Sequence, residues 1–277
     1  MKLKKLLCAT LSLVLLLALC ACGEKTPAPT DPTTTTPADA TTDSDLAYIK
    51  DNGELIIGYT VVEPMNFTDK EGKFVGFDTQ LAEAVCAKLG VTPKFVEITW
   101  ETKEVELKSK NIDCIWNGMT IDPERMEQME ISQPYAKNEQ VVVMKKGADY
   151  KDTSSLIGKN IAAEIGSAGE SVVKEEENLK QATLVGKSVQ TDCLMEVKAG
   201  TADAAVLDST LVNAAVGEGT DYADLALVGR LNAIENYGVG FRKGSDACEA
   251  VNKILDELTA DGTMAKLAEQ YGLELAK

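Results

Sequence analysis

The residue of this chain whose chemistry is easiest to state is an arginine placed a few positions beyond a short apolar run. In Asp113-Cys-Ile-Trp-Asn-Gly-Met-Thr-Ile-Asp-Pro-Glu-Arg125 the run Cys114 to Trp116 suits a buried parallel strand. Ligands of open α/β sheets bind just beyond the carboxyl ends of such strands. Asn117, Gly118 and Thr120 then stand at the mouth of a cleft, where Gly118 lets backbone approach a ligand and Thr120 offers a hydroxyl. Arg125 presents a planar fork of donors that matches a carboxylate bidentately. The same residues also read as a plain strand, a turn and a surface arginine. A second anion site is spelled by Gly166-Ser-Ala-Gly-Glu170, where a glycine-flanked serine before a helix offers backbone N–H groups and the positive end of a dipole. Ser167 and Ala168 would share a ligand carboxylate with Arg125, although an ordinary N-cap serine fits the same pattern.

Other chemistry is thinly supplied. The chain has no histidine, which removes the commonest general base and the commonest metal ligand together. Cys86, Cys114, Cys193 and Cys248 form no C-x-x-C pair and lie in apolar contexts, so buried free thiols are expected, with one long-range disulfide left open. No metal, cofactor or catalytic residue is therefore expected. Without residues 1–21 the chain carries 25 lysines and arginines against 44 acids, a net charge of −19. That argues against nucleic acid and anionic lipid as partners.

The elements needed to position these groups can be read from periodicity. Glu54 to Thr60 and Pro93 to Thr99 read as short strands, and Gln140 to Met144 as a continuous apolar one. Asp78 is a plausible N-cap for a helix carrying Leu81, Val85 and Leu89 and stopped by Gly90. A further helix is expected from Ser171. Ala202 to Leu207 is an apolar strand that ends in the carboxylate of Asp208 and opens a helix over Ser209 to Ala215, with Asp203 as a turn residue. Two closing helices, one with Val251, Ile254, Leu255 and Leu258 on one face and one with Met264, Leu267, Ala268 and Tyr271, are separated by Asp261-Gly262.

At the N-terminus Lys2, Lys4 and Lys5 precede an apolar run from Leu6 to Leu19, which reads as a secretory signal and is too short to span a membrane. It ends in Leu19-Cys20-Ala21-Cys22-Gly23, which resembles a bacterial lipobox. The resemblance implies that Cys22 carries diacylglycerol; Cys20 is a poorer acceptor because bulky Leu19 precedes it. Residues 22–45 then form a lipidated N-terminus and a disordered linker of Thr, Pro, Ala and Asp. About 230 residues remain, enough for two lobes.

Several motifs stand in one order along those residues: Val62-Glu-Pro-Met-Asn-Phe67, Gly76-Phe-Asp78, N-G-M-T-I-D-P-E-R ending at Arg125, Ser132-Gln-Pro-Tyr135, Leu156-Ile-Gly-Lys159, Ala202-Asp-Ala-Ala-Val-Leu-Asp208 and Tyr237-Gly-Val-Gly-Phe-Arg242. Over residues 46 to 277 this order resembles the family-3 solute-binding proteins, the polar amino-acid receptors of ABC importers. The resemblance implies a type II periplasmic-binding-protein fold of class α/β, with two lobes joined by two hinge strands and the ligand between them. Lobe 1 would comprise 46–138 and 235–277, lobe 2 residues 139–234. The resemblance gives Asp208 the ligand ammonium, Trp100 the place of a lid, and Val62 and Met65 one wall of the side-chain pocket. Trp116 reads as core. The implied function is a lipid-anchored, monomeric receptor on the outer face of a bacterial membrane that delivers a polar or cationic amino acid to an importer permease and its ATPase. Hinge bending near Asn138 and Glu235 would close the cleft. Dehydratases related to this fold offer an enzymatic alternative, with Glu63, Glu164 and Glu170 as available acids, and an amino-acid-sensing module offers a third.

Overall fold

A computed structural model describes residues 44–231 and 234–276. The secretory signal, the lipobox with Cys20 and Cys22, and nearly all of the spacer lie outside the described residues. Ser44 and Asp45, read above as the end of the spacer, already belong to the folded body. Ser44 caps the helix α1 (Asp45–Asn52) by accepting from the Ala47 N–H, and Asp45 pairs with Arg242 at 2.9 Å. A guanidinium fixed at a strand end is what orders them.

The strands in chain order are β1 (Glu54–Tyr59), β2 (Phe67–Thr68), β3 (Phe74–Val75), β4 (Thr92–Glu97), β5 (Cys114–Thr120), β6 (Met129–Ile131), β7 (Ala136–Asn138), β8 (Gln140–Lys145), β9 (Asn160–Glu164), β10 (Thr183–Lys187), β11 (Ala204–Asp208), β12 (Leu225–Arg230) and β13 (Glu235–Arg242). The helices after α1 are α2 (Phe77–Leu89), α3 (Lys103–Lys108), α4 (Pro123–Gln128), α5 (Ala168–Glu175), α6 (Gln190–Ala199), α7 (Ser209–Ala215), α8 (Ala247–Ala260) and α9 (Thr263–Tyr271).

One sheet runs β4-β1-β5-β13-β6, with β7 also on β13, and the other runs β10-β9-β11-β8-β12. In each, parallel strands joined by helices are completed by antiparallel returns: β13 on β5 in the first, β8 on β11 in the second. The chain crosses from the first sheet to the second between Asn138 and Gln140 and comes back between Arg230 and Glu235. Beside the crossing, β7 and the start of β13 pair antiparallel, Asn138 opposite Glu235. Two connections lying side by side make a hinge of few backbone torsions.

Burial follows the sheets. All seven residues of β5 are buried, and β11 is buried up to Leu207, as expected of central strands covered on both faces. Trp116 is fully buried in the main core. Cys86, Cys114, Cys193 and Cys248 are free and buried. Two local expectations are corrected. Asp78 does not cap α2: the helix starts at Phe77 behind Gly76, and Asp78 lies within its first turn, buried, where its Oδ2 accepts from the Gly118 N–H at 2.6 Å and from the Tyr135 hydroxyl at 3.0 Å. The helix expected from Ser171 starts at Ala168, because Ser167 itself is the N-cap, its hydroxyl accepting from the Glu170 N–H at 3.1 Å.

Candidate functional site

Where the carboxyl ends of β5, β9 and β11 meet, Trp100, Asn117, Gly118, Thr120, Arg125, Glu164, Ser167, Ala168, Gln190 and Asp208 line one cavity. The cavity is nearly closed, with space for about one water.

Arg125 is delivered by a short local device. Asp122 caps α4 by accepting from the Arg125 N–H at 2.8 Å, and Pro123 at the first helical position needs no donor there. The guanidinium is held by the Asp122 carboxylate at 3.2 Å, donates to the Thr120 carbonyl at 2.8 Å, and crosses to the other lobe to donate to the Gly166 carbonyl at 3.1 Å. Lys103 reaches the same carbonyl at 3.1 Å, pairs with Glu104 at 3.1 Å and lies 4.8 Å from the centre of the Trp100 ring. Burial, and then the neighbouring Arg125 charge, lower the pKa of Lys103.

The opposite end of the cavity is acidic and amide-rich. Asp208 sits where β11 turns into α7; Asn138 and Gln140 donate to its Oδ1 at 2.7 and 2.6 Å, and Gln190 donates to its Oδ2. Burial, with Glu235 adding to it, raises its pKa, and the three amides oppose that rise. Glu164 closes β9 with a carboxyl that is only 3% exposed and pushed up to about 8, by burial first and by the Asp208 charge second. Ser167 and Ala168 bring the N-terminal turn of α5 to the lining, with Glu170 reaching back to the Gly166 N–H at 3.0 Å.

The β5 segment is fixed from behind. Asn117 donates to Thr60 Oγ1 at 2.7 Å and accepts from Asn66 Nδ2 at 2.8 Å, while Asn66 also takes the Thr79 hydroxyl. Gly118 has φ +56°, and a Cβ there would stand 3.2 Å from the Tyr237 ring. Glycine and the buried Asp78 acceptor together hold this backbone. Thr120 directs its hydroxyl to Glu235 at 3.1 Å.

Eight of the ten residues expected at the ligand site thus share one lining: Trp100, Asn117, Gly118, Thr120, Arg125, Ser167, Ala168 and Asp208. Val62 and Met65 do not line it. They are buried in the main core, because a tight turn, with the Met65 N–H donating to the Val62 carbonyl at 2.8 Å, folds them inward; Met65 packs behind Gly118. The same stretch reaches the site through Asn66. Gln190 and Lys103 were not foreseen, and Glu164 was read only as a candidate acid for an enzyme. A carboxylate closing the apolar run Ile161 to Ala163 was the available signal for Glu164.

The sequence pattern described as bacterial extracellular solute-binding proteins, family 3, matches residues 55–274, and the chain belongs to that family. It is 29% identical over 242 residues to the L-cystine-binding protein TcyJ of Escherichia coli K12, covering 84% of this chain and 88% of the relative. Among solved structures, a mutant of ArgBP from T. maritima superposes with a TM-score of 0.76 at 34% identity, over 82% of this chain and 98% of that one. The ancestral amino acid-binding protein AncCDT-1, a precursor of cyclohexadienyl dehydratase, gives 0.74 at 32% identity over 82% and 99%. The fold is that of the type II periplasmic-binding proteins. These relatives are amino-acid-binding proteins, and the family is extracellular or periplasmic. No described helix is long and apolar enough to cross a membrane.

Proposed function

We propose that this chain is a lipid-anchored receptor that holds one free amino acid with a polar or cationic side chain between its lobes and hands it to the permease and ATPase of an ABC importer. The observation that carries this reading is a single small cavity lined by a guanidinium, Arg125, and a carboxylate, Asp208, delivered by different sheets. Those are the complements of the two charges that every α-amino acid carries. The carboxylate would take the Arg125 fork with help from the N-terminal turn of α5, and the ammonium would take Asp208. With room for about one water, the cavity admits an amino acid only if the lobes, residues 46–138 with 235–277 and residues 139–234, swing apart about the paired crossings. The anchor rests on the lipobox resemblance at Cys22.

A thermal-shift screen of the free L-amino acids against the purified protein is the direct test, since a ligand that binds only the folded state raises its melting temperature by mass action. One or a few amino acids should give a clear, concentration-dependent rise. If none did at millimolar concentration, this reading would fall. One observation favours a second reading, a dehydratase-like enzyme: Glu164 is a buried acid held protonated near Lys103, as a general acid needs. Turnover of prephenate or arogenate by the wild-type protein, lost in Glu164→Gln, would establish it in place of transport.

A further inference from the structure

The backbone charges of a bound amino acid account for Arg125 and Asp208 and leave one acid of the cavity without a counterpart. Glu164 is almost wholly buried, and its Oε1 has no hydrogen-bond partner among the described residues. The charged and titratable groups facing it are Lys103 from α3, Arg125 from α4, Asp208 from β11 and the Cys193 thiol from α6, with the Gln190 amide beside it. Neither cation is spent on it: Lys103 is paired with Glu104, and Arg125 with Asp122. A buried carboxyl oxygen with no donor is costly, and in a ligand cavity a bound ligand is one group that can supply the donor.

The approach to the cavity points the same way. The neighbouring groove, which shares Arg125 with the cavity lining, carries six acids, Glu101, Glu104, Asp122, Glu124, Glu170 and Glu175, against four cations. Glu104, Asp122 and Glu170 are paired with Lys103, Arg125 and Lys174, so the groove's surplus is two acids, a modest bias toward cationic ligands.

We propose that Glu164 receives the cationic side chain of the bound amino acid and gives up its proton to solvent as that cation arrives. This rests on the amino-acid reading given above and adds the class of side chain and a proton linkage. The bookkeeping is closed: the O–H bond of the Glu164 carboxyl breaks, the proton leaves to buffer, and the carboxylate pairs with the incoming ammonium or guanidinium. Burial and the Asp208 charge favour the protonated carboxyl in the unliganded site, and a cation at contact reverses that preference. A neutral side chain of the same shape leaves the proton in place.

The test is calorimetric titration of the wild-type protein and Glu164→Gln with L-arginine, L-lysine and L-citrulline, at pH 7, in buffers of different ionisation enthalpy. In the wild type, arginine or lysine should release about one proton more per ligand than citrulline, the neutral isostere, which also subtracts any contribution from Asp208. Glu164→Gln should abolish that difference and weaken the cationic ligands on the order of tenfold more than citrulline. If the variant does not fold, the wild type alone decides: affinity for the cationic amino acid should climb between pH 6 and 8 while that for citrulline stays flat. Cation binding with no excess proton release, or with flat pH dependence, overturns the proposal, as does tight binding of neutral amino acids alone. Failure of every amino acid to bind would overturn the underlying reading instead.

Discussion

At the scale of single residues, the buried carboxylate of Asp78 shows how far the site's support lies from the site. It receives the Gly118 N–H across 40 positions of sequence, and burial pushes its carboxyl up to about 7. A folded-state pKa above the unfolded value means that the folded protein binds more protons between pH ~4 and ~7. The Asp78 contribution to stability therefore falls as the pH rises through that window. Asp78→Asn keeps an acceptor for Gly118 and removes the titration. We expect urea unfolding to show the variant gaining on the wild type between pH 4.5 and 7.5 by about 1.4 kcal/mol per unit of pKa shift removed. Parallel stability curves would show that Asp78 does not titrate in this way. The placement of Arg125 and Ser167 in the cavity lining was legible from short local motifs whose residue types suggest their chemistry, and that of Asp208 from the family resemblance. Asp78, Gln190 and Lys103 were not, because what gives each its role is a partner distant in the chain. Val62 and Met65 stand outside the cavity lining for a related reason: a local motif does not specify which way its turn folds.

At the scale of elements, β1, β4, β5, β8 and β11 were readable as short apolar runs, since central strands are buried on both faces, whereas the short β2, β3, β6 and β7, the half-exposed β10 and β12, and the order of strands in the sheets were not. Element ends were less readable. The start of α5 depended on whether Ser167 or a later residue capped it, and β4 stops at Glu97 because the chain turns into the helical bend at Trp100. The junction between β9 and α5 is also where the lobes touch. Gly166 has φ +75°, its carbonyl takes both Lys103 and Arg125, and a Cβ added there would stand 3.3 Å from the Glu101 backbone. Gly166→Ala strains its own backbone by about 1–3 kcal/mol whatever the lobes do, and in the closed arrangement adds a methyl 3.3 Å from the Glu101 backbone. The expected outcome is amino-acid affinity reduced on the order of tenfold, with a larger radius of gyration in solution scattering. Unchanged affinity would mean that closure does not bring Gly166 against Glu101.

At the scale of the whole molecule, two crossings set side by side join two sheets, and the residues that complement an α-amino acid stand at the ends of strands from both. On the function proposed above, ligand capture and lobe closure are one event, and the closed form is what the importer recognises. The lipid anchor proposed at Cys22 is tested separately. If acyl chains sit on Cys22 alone, Cys22→Ser should release the folded protein into the medium with ligand affinity unchanged, as fractionation and calorimetry would show. Retention on the membrane would point to Cys20 or to an uncleaved signal.

The central claim is that one zwitterion is held by Arg125 at one end and Asp208 at the other. Calorimetric titration of the best amino acid from the thermal screen, and of its analogue lacking the α-amino group, into wild type, Arg125→Ala and Asp208→Asn tests it most directly. Loss of a charge-assisted bidentate contact, with a ligand carboxylate left poorly paired, should weaken both ligands on the order of a hundredfold in Arg125→Ala. Asp208→Asn should weaken the amino acid strongly and the analogue far less, with both variants melting cooperatively. Near-wild-type affinity for the amino acid in both variants would contradict the account.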